Sequence, residues 1–141
     1  MKYAKWMLAL SLVALSTLSV AQTITSSGLV AEVPFVFMVG NQSIPAGEVQ
    51  ITRSGMTPNI LLVRNADAKA ATLSNATQGE TRHASNDTVL VFERYGDRYF
   101  LSSIRLGGSD MTYQFPQSKA EAELRAQNMQ GTETTLLAAL N

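Results

Sequence analysis

The residues whose types and spacing best suit recognition chemistry are Arg94, Tyr99 and Arg105. Period-two alternation along Thr88 to Tyr95 and Arg98 to Leu106 puts all three on one face. The intervening Gly96-Asp97 loop makes a hairpin, because Gly tolerates the positive φ that a two-residue turn demands. That loop opposes Tyr95 to Arg98, Arg94 to Tyr99, Glu93 to Phe100 and Phe92 to Leu101. A guanidinium stacked on an aromatic ring adds about 0.5–1 kcal/mol as a plain surface pair. Arg and Tyr are also enriched at binding hot spots. The three side chains are therefore a candidate recognition patch for an anionic or sugar-like ligand or a protein partner.

Catalytic chemistry has weaker footing. His83 is the single histidine, with Ser85 and Asp87 beside it in one polar stretch. A triad needs its base, nucleophile and carboxylate to converge, normally from separate elements, so these three read as turn formers. One histidine and no cysteine leave almost no ligands for a transition metal. Asp67, Asp87, Asp97 and Asp110 fall in expected turns without the spacing of a calcium loop. Glu93 and Asp97 are the one carboxylate pair on a firmly expected element, and glycoside hydrolysis needs two carboxylates roughly 5–10 Å apart. No Gly-rich loop follows a strand and opens a helix, so nucleotide chemistry has no anchor. No catalytic residue, metal ligand or cofactor is assigned.

The chain opens with the pattern of an export signal. Lys2 and Lys5 precede the apolar stretch Trp6 to Leu15, and Ser19-Val20-Ala21 supplies the small residues a signal peptidase requires. The apolar core is shorter than the roughly 20 residues of a membrane span. Residues 1–21 are thus expected to be a cleaved signal peptide and 22–28 a flexible leader. Without Lys2 and Lys5, nine of the 11 basic residues face 11 acidic ones, a net charge of −2. Nucleic acid is an unexpected partner, since phosphate binding relies on clustered Lys and Arg. The absence of cysteine points to a bacterial periplasmic or extracellular setting, with stability from packing instead of disulfides.

The mature chain reads as one mainly β domain over residues 29–129. Leu29 to Val39 is a first β run, with Phe35, Phe37 and Val39 on one face and Pro34 marking a strand start, bulge or edge. Glu48 to Arg53 alternates, with Val49 and Ile51 inward. Ile60 to Val63 and Ala70 to Ala76 are shorter strands, and 77–87 is the most loop-like internal stretch. In the hairpin, one face carries Leu90, Phe92, Arg94, Tyr99, Leu101, Ser103 and Arg105. The other carries Val89, Val91, Glu93, Tyr95, Arg98, Phe100, Ser102 and Ile104. Thr112 to Phe115 is a last strand. Ser118-Lys119-Ala120-Glu121 is a capping box opening a helix that ends near Asn128. This helix is a candidate cover for Leu90, Phe92 and Leu101, leaving the arginines to pair with Glu121 or Glu123. Residues 130–141 read equally as a second short helix or a loose tail. Six or seven short strands and one helix predict an antiparallel meander, closing as a small barrel or folding as a two-sheet sandwich, with one C-terminal α-helix.

Val33-Pro34-Phe35-Val36-Phe37-Met38-Val39-Gly40 followed by Pro45-Ala46-Gly47-Glu48-Val49 resembles the opening of a family of small exported proteins common in acidobacteria. Phe92 to Ser102 and Ser118-Lys119-Ala120-Glu121 are similar to its later signatures. The resemblance covers nearly all of the mature chain. It implies export and one compact domain, and carries over no activity and no site residues.

The expected function is a non-enzymatic exported domain that binds or scaffolds an envelope or extracellular partner. A hydrolase using carboxylates is the alternative, favoured by buried carboxylates that converge. A carrier is the third reading, favoured by an empty apolar interior.

Overall fold

The computed structural model describes residues 28–140, except 56 and 66. The expected signal peptide, and all of the expected leader but Gly28, lie outside the described residues.

The strands are β1 (Leu29–Val33), β2 (Phe37–Val39), β3 (Gln42–Ile44), β4 (Gly47–Arg53), β5 (Ile60–Asn65) and β6 (Ala70–Asn75). They continue as β7 (Thr77–Ser85), β8 (Thr88–Tyr95), β9 (Arg98–Arg105) and β10 (Ser109–Gln114). The helix α1 (Lys119–Ala126) and a last strand, β11 (Thr132–Leu140), complete the chain. The ladder runs β6-β5-β4-β1-β11-β8-β9-β10-β7. Its two ends are consecutive in the chain, joined through the single buried residue Ala76, so the sheet nearly closes into a barrel. Of the two expected architectures, this is the barrel.

Pro34 breaks the first β run. Before it β1 pairs β4 and β11; after it β2 joins the edge of β9 in parallel, Phe37 beside Tyr99 and Met38 beside Phe100. A proline cannot donate to a ladder, so the chain changes partner where it must leave one. β2 and β10 thus share one edge of β9. The β2–β3 hairpin sends Phe37, Val39 and Ile44 into the core.

Inward positions fill that core. Val49 and Ile51 alternate inward as expected, with Val33, Val63, Leu90, Phe92, Leu101 and Ile104. Phe92 receives the rings of Phe35 and Phe37 edge-on at 5.1 and 5.2 Å, the geometry that an aromatic quadrupole prefers. Asn65, 1% exposed, satisfies its amide by donating to the carbonyls of Pro45 and Ala46 and accepting from the Ala68 N–H.

Three expectations need correction. Most of 77–87 is not a loop: Thr77–Ser85 is β7, which pairs β10, although residues 81–84 bulge opposite Asp110 and only 86–87 turn. Residues 132–140 are neither helix nor tail. They form a strand between β8 and β1, with Leu136 against Leu90 and Leu137 against Val89. A strand there supplies hydrogen bonds to two neighbours at once, which outweighs weak local propensity. The helix also covers the opposite hairpin face from the one expected. Leu90, Phe92 and Leu101 belong to the barrel core, and α1 is fastened to Tyr95 on the outside.

Candidate functional site

The Gly96-Asp97 turn forms with Gly96 at φ 63°, and the first four cross-strand pairs fall as the loop dictates. Arg94 and Tyr99 do meet, the guanidinium carbon lying 5.4 Å from the ring centroid. Phe35 also stacks on Tyr99, with centroids 3.7 Å apart and planes at 11°. Arg94 Nε is spent on the Gly96 carbonyl at 2.6 Å. Phe35 and Tyr99 are partly buried against the core, and Arg94 is exposed beside them.

Arg105 is not part of it. Between Val91 and Phe92 the register shifts: Phe92 faces Leu101, yet Val91 faces Ser103, so Ser102 is an extra residue in β9. One inserted residue moves everything beyond it to the other face. Ile104 therefore joins Leu90 and Phe92 in the core, and Arg105 turns outward opposite Val89. There it pairs with Glu133 at 3.2 Å, instead of Glu121 or Glu123. The pair crosses β8 over Val91, which is buried.

The convergence of polar groups lies on this outer face, under α1. Ser118 caps the helix, its hydroxyl accepting the Glu121 N–H at 3.1 Å. The Glu121 carboxylate turns instead to the sheet and accepts the Tyr95 hydroxyl at 3.0 Å. Arg125, one turn on, donates through Nε to the same hydroxyl at 2.7 Å and stands 3.9 Å from Glu121 Oε1. Tyr95 is buried at 1% exposure, and that burial is the main reason its hydroxyl titrates above its ordinary value of 10.

Beyond Ala126 the chain turns in a Schellman motif: Asn128 takes φ 60°, Met129 N–H bonds the Leu124 carbonyl, and Asn128 N–H bonds that of Arg125. Met129 reaches the hairpin tip at Gly96. Gly131 then passes so close that an added Cβ would lie 2.6 Å from a Glu93 oxygen and 3.0 Å from the Tyr95 ring. These turns leave an open cleft of about 590 Å³ lined by Glu93, Arg125, Asn128, Met129, Gln130 and Gly131.

Glu93 is its carboxyl group. Burial raises its carboxyl above the ordinary value, Arg125 opposes that, and Glu121 and Glu133 push it further up. Glu133 stands directly opposite in the ladder. Among the described residues Glu93 has no hydrogen bond or ion pair of its own. Its carboxylate neighbours are Glu121 and Glu133, not Asp97 at the turn. Among the described residues no three His, Cys, Asp or Glu side chains are grouped to hold a metal ion. The side chains of His83 and Ser85 lie outside those described. Sequence reasoning named Glu93 but missed this cleft, because its walls depend on where α1 docks. One signal was present: the capping-box Glu121 lies four residues before Arg125, a spacing that pairs them on one helix face.

The fold and this surface define a mainly β, barrel-like domain with one helix laid over its outside. Comparison with protein-family models, curated proteins and solved structures gives no match. Among the described residues no helix is long and apolar enough to cross a membrane.

Proposed function

We propose that this protein is an exported, non-enzymatic binding domain of the periplasm or cell exterior, a β-barrel scaffold presenting the cleft between α1 and β8 to an envelope partner. The observation that carries the reading is the division of labour between inside and outside. The interior is occupied by interlocked Phe35, Phe37 and Phe92. The polar groups Glu93, Arg125, Asn128 and Gln130 converge outside on an open cleft. A few placed polar groups in a concavity are the usual makings of a ligand site. Carboxylate, guanidinium and amides together suit a hydroxyl-rich partner such as an envelope polysaccharide. The signal-like N-terminus and the resemblance to small exported proteins support export.

Retention on purified peptidoglycan and on envelope polysaccharide tests the reading. Asn128→Gly with Gln130→Ala removes two cleft side chains and keeps the turn, since Gly accepts positive φ. Retention should fall at least several-fold at an unchanged melting temperature, while Arg94→Ala leaves it intact. Retention that survives the cleft variant, or is missing from the wild type, contradicts the proposal.

One observation favours the alternative of a carboxylate hydrolase: Glu93 titrates high in a cleft beside Glu121, as catalytic acids do. Release of reducing ends from the same polysaccharide, lost in Glu93→Gln, would establish it.

A further inference from the structure

β7 is an edge strand: among the described residues it pairs β10 and no other strand. The ladder on the far side of β10 decides which β7 backbone groups are unused. Leu106 N–H bonds the Met111 carbonyl and Phe115 N–H bonds that of Ser102, so Met111 and Phe115 turn their backbone groups to β9. Hydrogen-bonding direction alternates along an antiparallel strand. Thr112 and Gln114 therefore face β7, where they meet Gly79 and Thr77. The N–H and C=O groups of Gln78 and Glu80 point the other way, out of the sheet.

Open edges are usually blunted by proline, lysine or a bulge. β7 contains neither proline nor lysine, and it pairs β10 without a break from Thr77 to Glu80. Its one irregularity is toward β10, where 81–84 face Asp110 alone. Glu80 and Arg82 lie two residues apart on the extended strand, hence on one face, and both are exposed. Among the described residues neither makes an ion pair.

We propose that this edge pairs with the same edge of a second copy of the chain, antiparallel about a two-fold axis at Thr81. In that register Glu80 of each copy opposes Arg82 of the other, so two ion pairs form. The unused N–H and C=O groups of Glu80 meet those of Arg82, and Gln78 extends the ladder at both ends. Opposite charges placed directly across a ladder stabilise it, and a two-fold lets one patch serve both subunits. Moving the axis to Gly79 would set Glu80 against Gln78 and lose both ion pairs, so charge selects the register. The β7 edge takes no part in the cleft under α1, and the dimer stands apart from the binding proposal.

Sedimentation velocity over a concentration series reaching the millimolar range tests it. The wild type should associate reversibly to a dimer. Glu80→Arg and Arg82→Glu should each weaken association by roughly tenfold or more, since two opposed ion pairs become like-charge pairs. Mixing the two variants, or combining both changes in one chain, should restore the dimer. Gln78→Pro removes an edge N–H and leaves the β10 ladder whole, so it should weaken association at an unchanged melting temperature in dilute solution. A wild type that stays monomeric throughout overturns the proposal and leaves the edge to a different chain. A dimer that survives either charge reversal, or a double variant that stays monomeric, overturns it equally.

Discussion

At Tyr95 one hydroxyl serves two partners, donating to Glu121 and accepting from Arg125. Glu121 is 8% exposed, and its carboxylate accepts the Tyr95 hydroxyl at 3.0 Å while Arg125 stands farther off at 3.9 Å. A hydrogen bond to a charged group is worth about 1.5–3 kcal/mol, and a buried carboxylate left short of donors bears the larger loss. Tyr95→Phe should cost about 2 kcal/mol in chemical denaturation, with the ring packing retained. A loss below about 0.5 kcal/mol would mean that water replaces the hydroxyl and that α1 is held by something else. None of this trio was legible as a unit. Tyr95 was assigned to the correct hairpin face and Glu121 to the helix cap. What joins them is a contact over 26 residues, which no local pattern encodes.

Elements were legible where a local rule fixes geometry. Gly96-Asp97 sets four cross-strand pairs because a two-residue loop leaves no choice. The rule fails at Ser102, where one extra residue reverses the faces of Ile104 and Arg105 and divides the expected recognition patch. Neither Ser102 nor Ser103 has the size or branching that would mark such a step. β11 was hidden for a different reason. Its paired leucines and alanines, Leu136-Leu137-Ala138-Ala139, carry no period-two signal, yet β8 and β1 both need its backbone. Deleting residues 132–141 should therefore leave β8 and β1 with open edges and abolish cooperative thermal unfolding. A truncated chain that still melts cooperatively within a few degrees of the full protein would show β11 to be an accessory strand.

For the molecule as a whole, an aliphatic and aromatic core lies inside the barrel and a polar cleft lies outside it. Phe37, Phe92, Ile44 and Leu90 are buried at about 1% exposure or less, the large side chains of a packed core. The mainly β class with one C-terminal helix was legible from strand alternation and turn spacing, but the choice of barrel over sandwich was not, since it depends on β11 and on how Ala76 joins the two ends of the ladder. The cleft was not, since it exists only where α1, its Schellman turn and Gly131 meet β8. The most direct test of a cleft-binding scaffold is a two-dimensional amide NMR titration with soluble peptidoglycan fragments and envelope oligosaccharide. Shift changes should cluster at Glu93, Arg125 and residues 128–131, leaving the Leu90, Phe92 and Leu101 amides still. Changes centred on those core amides, or on Arg94 and Tyr99 alone, would contradict the account.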